Sequence, residues 1–594
     1  MNVHRHGIGL ALVLAGAATY AGCGLGDVGS PSLPEPPAAG PSAQGGTVVV
    51  VPEDCVQPAC QAFPLPVSAH AVRLTSIQWE RTVRDLLKLP MLPGNSVEFP
   101  PDAVASADRF GSEAGDLIVT TQHWAAYQKA AEQLSSLIVD DATALDALLP
   151  DASKDVASAT DLRLKAFVAD FLPRAYRRAV TPAESAAAVA AAETAGAAAA
   201  GDPFKVRTKW VLTSVLQSPK FIYRITFGGD AVKETTYGTG SSAVVDKRSD
   251  LTGYEIASKL AYGLWGTMPD DGLLALARDG KLTRAGIAEI ARSMLKDPRA
   301  ATSLAEFHDE LYLVEHFAEV KSRPLDLFPN FYDGYDVDTV EDLRRTVKDL
   351  IIDGNGTLKD LDTSTVAYVN NRLAPVYGID PSTIPEIAVA GPDLFVKIQM
   401  DGAKRKGLLM HPGWLTYQAS PRDPSPIRRG AYVARHVLCT PLGSPPPGAA
   451  GADPEKAPGA TNRERVEATT KGCGDGCHGG AAGVINPLGF SFEDFDSIGK
   501  LRATDNNVPV NTKGQAEVIG AFNSSVALFE LVSKSARAHA CYAAHWSAYL
   551  NGTSLVDVTP KYLSPAVARS LQNASVREII VELVQTDAFL TVSR

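Results

Sequence analysis

LTGYEIASKLAYGLWGTMPDD, residues 251–271, decides the fold class. Thr252 followed three residues later by Glu255 is a capping box, in which each side chain satisfies a backbone N–H at the start of a helix. Ile256, Leu260 and Leu264 then recur every four residues and place one apolar stripe on that helix. Asp270 caps the short helix that follows, and Asp279-Gly280 ends it. The same pattern returns in residues 73–90, where Thr75 pairs with Gln78 and Trp79, Val83, Leu86 and Leu87 share a face. In residues 180–203, Thr181, Pro182 and Glu184 open an alanine-rich helix. Glu193 interrupts the run and separates it from a membrane segment. Strand-like alternation is confined to pieces such as 234–248 and 386–400. The sequence therefore predicts a mainly α, multi-helical, multidomain protein.

A chain of 594 residues is too long for one core. The net charge of −11 leaves no basic footprint, so no nucleic acid is expected as a partner. At the N-terminus, Arg5 precedes an apolar stretch from Ile8 to Ala18, which reads as a signal peptide over residues 1–22. Tyr20-Ala21-Gly22-Cys23 resembles a lipobox, making Cys23 the expected lipidation site; Tyr20 stands where Leu is usual. With Gly24 after it, the expected location is the bacterial cell envelope: exported, and either lipid-anchored to the outer membrane or periplasmic. Residues 23–65 are rich in Pro, Gly and Ser and read as a tether. An oxidising compartment allows disulfides. Cys55 and Cys60 are close enough to close a small loop, and Cys439 with Cys541 is the remaining pair.

KGCGDGCHGG, residues 471–480, carries the densest chemistry. Two thiols beside an imidazole suit covalent attachment of a c-type haem, with Cys473 and Cys477 forming thioethers and His478 ligating the iron. The usual spacing has two residues between the cysteines; here there are three, and the glycines at 472, 474 and 476 let the loop bulge. Two other readings stay open at this point. Cys473 and Cys477 can pair as a disulfide, or the two thiolates and His478 can hold zinc, for which no fourth ligand is evident nearby. No nucleophile elbow, phosphate loop, dinucleotide fingerprint or H-E-x-x-H is present.

Several segments together resemble one family. These are RLTSIQWERTVRDLL (73–87), FLPRAYRRAVTPAE (171–184), SPKFIYR (218–224) and the stretch from Tyr254 to Leu282. They continue with VNNRLAPVYGI (369–379), RKGLLMHPGWL (405–415), SPIRRG (425–430) and CHGGAAGVINPLGFSFEDFDSIGKLR (477–502). In this order they are similar to the secreted planctomycete-cytochrome-type proteins, in which helical domains of unknown function surround a cytochrome-c-like domain. The resemblance implies helical domains at 66–130, 160–228 and 248–378, a cytochrome-c-like domain at 402–503 and a C-terminal helical domain at 516–592. It also implies one covalent haem c. This chain departs from the family twice, in the wider cysteine spacing and in Asn486, where the family tends to have Asp.

No Met follows Met410, so a downstream axial Met is ruled out. His411, which occupies a position where the family motif carries His, is the expected sixth ligand, set against a helix-end role before Pro412. His539 and His545 are weaker candidates, and Met410 reads as core. Arg428 and Arg429 are candidate partners for haem propionates, set against an exposed helix start. Phe490 is expected to wall the haem, set against ordinary core packing. Glu493, Asp494 and Asp496 read as a solvated acidic face rather than a cation site. Two functions remain. One is an exported c-type haem protein acting in electron transfer or a haem-dependent redox reaction, with an unknown redox partner protein or extracellular substrate. The other is a non-enzymatic cell-surface scaffold or binding protein with Cys473–Cys477 as a disulfide.

Overall fold

The computed structural model describes residues 65–594 apart from 66–67, 69, 106–109, 198, 238–243, 443–458, 472–477, 479–482 and 556–560. The signal peptide, the tether, Cys23, Cys55, Cys60, Cys473 and Cys477 lie outside the described residues. What is described is mainly α-helical with small sheets, as the sequence predicts. None of the described helices is long and apolar enough to cross a membrane.

The helices begin where their capping residues place them. Thr75, Thr181 and Thr252 each accept from the N–H three residues on, and Gln78, Glu184 and Glu255 each reach back. Such caps are worth about 1 kcal/mol each. The first core is built by helices Ser76–Leu86, Thr121–Asp140, Thr160–Tyr176, Pro182–Gly196 and Pro203–Leu216, packed around Trp79, Tyr127, Phe167 and Phe171. The second core draws its residues from between Leu251 and Val592, joined by Phe110. At its centre is helix Ala536–Asn551, buried at every position except Arg537 and Asn551. A helix apolar all round is stable only when surrounded, and the small residues of ARAHACYAAHWSAYLN let neighbours approach closely.

The short strands tie distant segments together. Ala71–Arg73 pairs antiparallel with Tyr223–Ile225. Val244–Asp250 sits between Val232–Tyr237 and the C-terminal Thr591–Ser593. Val366–Val369 pairs with Val396–Gln399. A disulfide joins Cys439 to Cys541 and fixes the segment after helix Pro426–Tyr432 to the central helix.

Three arginines from the motif segments act as carbonyl clamps. Arg177, which ends its helix at φ 54°, donates to the carbonyls of Ala175, Phe221 and Tyr223. Arg405 donates to those of Met410 and Gly499, between the rings of Tyr377 and Phe495. Arg429 is 1% exposed and donates to four carbonyls: Leu415, Phe492, Phe495 and Asp496. Burying a guanidinium this deeply requires most of its donors to be met, and carbonyls at loop ends are otherwise without partners.

Candidate functional site

His478 is held from two directions. Its carbonyl accepts from the N–H of Asn486 at 3.2 Å, and its Nδ1 lies 3.1 Å from the Asn486 side-chain oxygen. The orientation of that amide follows from the next link. Thr470, in helix Asn462–Thr470, donates its hydroxyl to the carbonyl of Val466 at 2.7 Å, leaving its oxygen to accept from the Asn486 NH2 at 2.8 Å. The Asn486 carbonyl oxygen therefore faces His478 and accepts a proton carried on Nδ1. Nε2 is left with the lone pair, the form in which an imidazole ligates a metal.

Asn486 is itself immobilised. It is 4% exposed on helix Ile485–Phe490, which crosses helix Pro426–Tyr432 backbone to backbone. The crossing uses two glycines. A Cβ on Gly430 would stand 1.9 Å from the Ile485 carbonyl, and one on Gly489 would stand 1.9 Å from that of Pro426. No larger residue permits this approach.

The residues expected around a haem divide. Arg428 is exposed over the Tyr417 ring, its guanidinium 5.4 Å from the centroid, and stays accessible to a carboxylate. Arg429 does not match the expectation, because its terminal nitrogens are committed to main-chain carbonyls in the interior. Phe490 is 3% exposed with the Arg463 guanidinium 4.3 Å from its centroid, so one face of the ring is covered by a cation.

The acidic residues are not a solvated face. Glu493 is 2% exposed, accepts from Asn462 and Arg502 at 2.9 Å each, and burial holds its carboxyl above the usual range. Burial pushes Asp494 up to about 6. Asp496 accepts from the N–H groups of Ile498 and Lys500 and is also raised by burial. Their role is to organise the loop after helix Ile485–Phe490. A sequence pattern of three acids in four residues carries no sign of the arginines at 405, 429 and 502 that make burial tolerable.

His411 is placed elsewhere than expected. Its Nδ1 lies 3.0 Å from Asp342 Oδ2 and 3.1 Å from the Tyr377 hydroxyl, which also bonds Asp342. The other Asp342 oxygen accepts from the Tyr368 N–H at 2.8 Å. Nε2 of His411 is enclosed without a partner among the described residues. The surroundings are closed: a Cβ on Gly413 would meet the Phe317 ring at 2.5 Å, and one on Gly499 would meet Pro412 at 2.8 Å. Among the described residues, His411 shares no bonding partner with His478. His411 is one corner of a buried Asp342–His411–Tyr377 constellation that engages its Nδ1. Met410 is fully buried core. His539 has both ring nitrogens engaged, by Ser570 and the Ser533 carbonyl.

Among the described residues, Cys439, Cys541 and His545 form one group with metal-ligand proximity. Its sulfurs are bonded to each other, and His545 Nε2 faces the His436 carbonyl at 3.0 Å, so no thiolate is on offer.

Sequence reading missed Thr470, Asp342 and Tyr377. Tyr377 lies within the family-like stretch 369–379, whereas Asp342 reads as one more acid on a polar helix. Comparison with known proteins gives four family models, each described as a protein of unknown function. PSD3 (DUF1587) matches residues 73–140, PSD5 (DUF1595) 163–225, PSD4 (DUF1592) 251–379 and PSCyt3 (DUF1588) 405–505. Together they span more than half of the chain, and the last contains Thr470, His478 and Asn486. No curated protein and no solved structure matches.

Proposed function

The chain belongs to the planctomycete-cytochrome-type family, and from that premise we propose that it is an exported c-type haem protein serving electron transfer or a haem-dependent redox reaction. The observation that carries this reading is the Thr470–Asn486–His478 chain, which prepares Nε2 of His478 as a ligand. Cys473 and Cys477 supply the thioether sulfurs, and Arg428 is available to a propionate. A haem bound there supplies a one-electron couple. The protein's part is to fix the ring orientation and tautomer of His478 through Asn486, and to hold Asn486 by the glycine crossing beneath it.

The expected setting is the bacterial cell envelope, with Cys23 lipidated. The Cys439–Cys541 disulfide agrees with an oxidising compartment. The partner is a redox protein or an extracellular substrate of unknown identity. Production alongside a c-type haem maturation system tests the reading. The purified protein is expected to show a Soret band that shifts on reduction, with His478→Ala altering the ligand field. A colourless protein with Cys473 and Cys477 paired would replace it with the scaffold reading.

A further inference from the structure

Arg224 breaks the pattern of the other motif arginines. It closes the segment SPKFIYR, yet among the described residues its side chain makes no hydrogen bond or ion pair, and its Nε is enclosed without a partner. Its guanidinium lies 5.3 Å from the Tyr262 centroid and lines a cavity of about 40 Å³. A single water needs roughly 10–15 Å³, so the cavity has room for a group of a few heavy atoms.

Lys259 lines the same cavity. Two of its ammonium hydrogens go to Asn551 Oδ1 at 2.8 Å and the Phe589 carbonyl at 2.7 Å, leaving the third. Among the described residues Glu255 is the one carboxylate in the lining, one negative charge against two cations. Its Oε1 accepts from the N–H groups of Phe227 and Gly228, and its Oε2 from the N–H and hydroxyl of Thr252. Ser258 and Thr226 add hydroxyls to the wall. Two cations of different shape on one cavity thus meet, among the described residues, a single carboxylate whose oxygens are already engaged by other donors, which leaves one positive charge in excess.

We propose that this cavity binds a small oxyanion, a phosphate-like or carboxylate group, gripped by the Arg224 fork and the Lys259 ammonium. A guanidinium presents two parallel N–H groups to such an anion and an ammonium adds a point charge. The lining is drawn from the Ala71–Arg73 and Tyr223–Ile225 pair and from helices Gly253–Trp265, Ala536–Asn551 and Asp587–Leu590, none of which carries His478. It stands or falls independently of the haem reading.

Burial lowers the Lys259 amine to about 7. The charged groups facing it are Arg224, Arg248 and Glu255, of which the two arginines lower it further and the glutamate raises it. An anion that needs the charged amine is therefore held more tightly below about pH 7.

Titration calorimetry of the full chain at low ionic strength with sodium sulfate, and separately with sodium acetate, tests the proposal. Sulfate keeps its charge across the pH range, so any pH dependence belongs to the protein. One saturable site per chain is expected, tighter at pH 6 than at pH 8, and weakened about tenfold or more by Arg224→Gln or Lys259→Gln. If a neutral variant fails to fold, Arg224→Lys keeps the charge, loses the fork, and is still expected to weaken binding. Sulfate alone binding assigns the phosphate-like class, and acetate alone the carboxylate class. No saturable heat from either anion, or unchanged binding in Arg224→Lys, overturns the proposal.

Discussion

His411 and Asp342 meet inside the protein through Nδ1 and Oδ2 at 3.0 Å, with 1% and 0% of their side chains exposed. Removing one member of such a pair strands the other in the interior, at about 3–5 kcal/mol. His411→Ala is expected to lower the urea midpoint by that scale while leaving the optical spectrum of bound haem unchanged. A changed ligand-field spectrum at unchanged stability would put His411 on the iron.

Asn486 gives a second prediction. Asn486→Leu removes the acceptor that fixes the His478 tautomer and is expected to weaken axial ligation about 10- to 100-fold, read as a shifted Soret band and ligand-field spectrum. Asn486→Asp keeps the acceptor and adds charge, which makes the imidazole more basic and lowers the reduction potential. Potentiometric titration of the two variants checks this order, and a raised potential in Asn486→Asp would contradict the hydrogen-bond direction.

Local chemistry was legible in the sequence, and long-range pairing was not. Thr75, Thr181, Thr252 and Asp270 cap helices where their spacing places them, because a cap is settled within four residues. The alternation at 234–248 appears as the Val232–Tyr237 and Val244–Asp250 hairpin. The burial of Arg429 and Glu493 is not legible in the sequence because charge predicts exposure unless partners are known, and theirs come from up to 67 residues away. Asp342 and His411 are separated by 69 residues, so nothing in either neighbourhood announces the other.

The Cys439–Cys541 disulfide spans 102 residues. Closing a loop of this size restricts the unfolded chain by about 4–5 kcal/mol. Cys439→Ser with Cys541→Ser together are expected to lose about that much in denaturant unfolding, and reductant is expected to have the same effect on the parent. Equal midpoints in parent and double variant would show that the bridge does not constrain the unfolded state.

Stability is expected to fall as pH rises through the range set by Glu310. Burial pushes its carboxyl up to about 7, against an ordinary 4.5. Between those values the folded chain retains a proton that the unfolded chain has released. The contribution is complete below 4.5 and is lost as pH climbs through about 7. Glu310→Gln keeps the acceptor for the Gly111 N–H, which lies 2.7 Å from Oε2, and removes the titration. Urea midpoints from pH 4.5 to 7.5 should fall less steeply in this variant than in the parent. Identical slopes would remove Glu310 from the pH response.

The central claim is that Cys473, Cys477 and His478 hold one covalent haem. A pyridine haemochrome spectrum of protein made with a c-type maturation system, taken after acid–acetone extraction, tests it most directly. The prediction is one haem per chain that resists extraction and is lost in the Cys473→Ala, Cys477→Ala double variant. A chain that carries no haem, or releases all of it into the solvent, would contradict the claim.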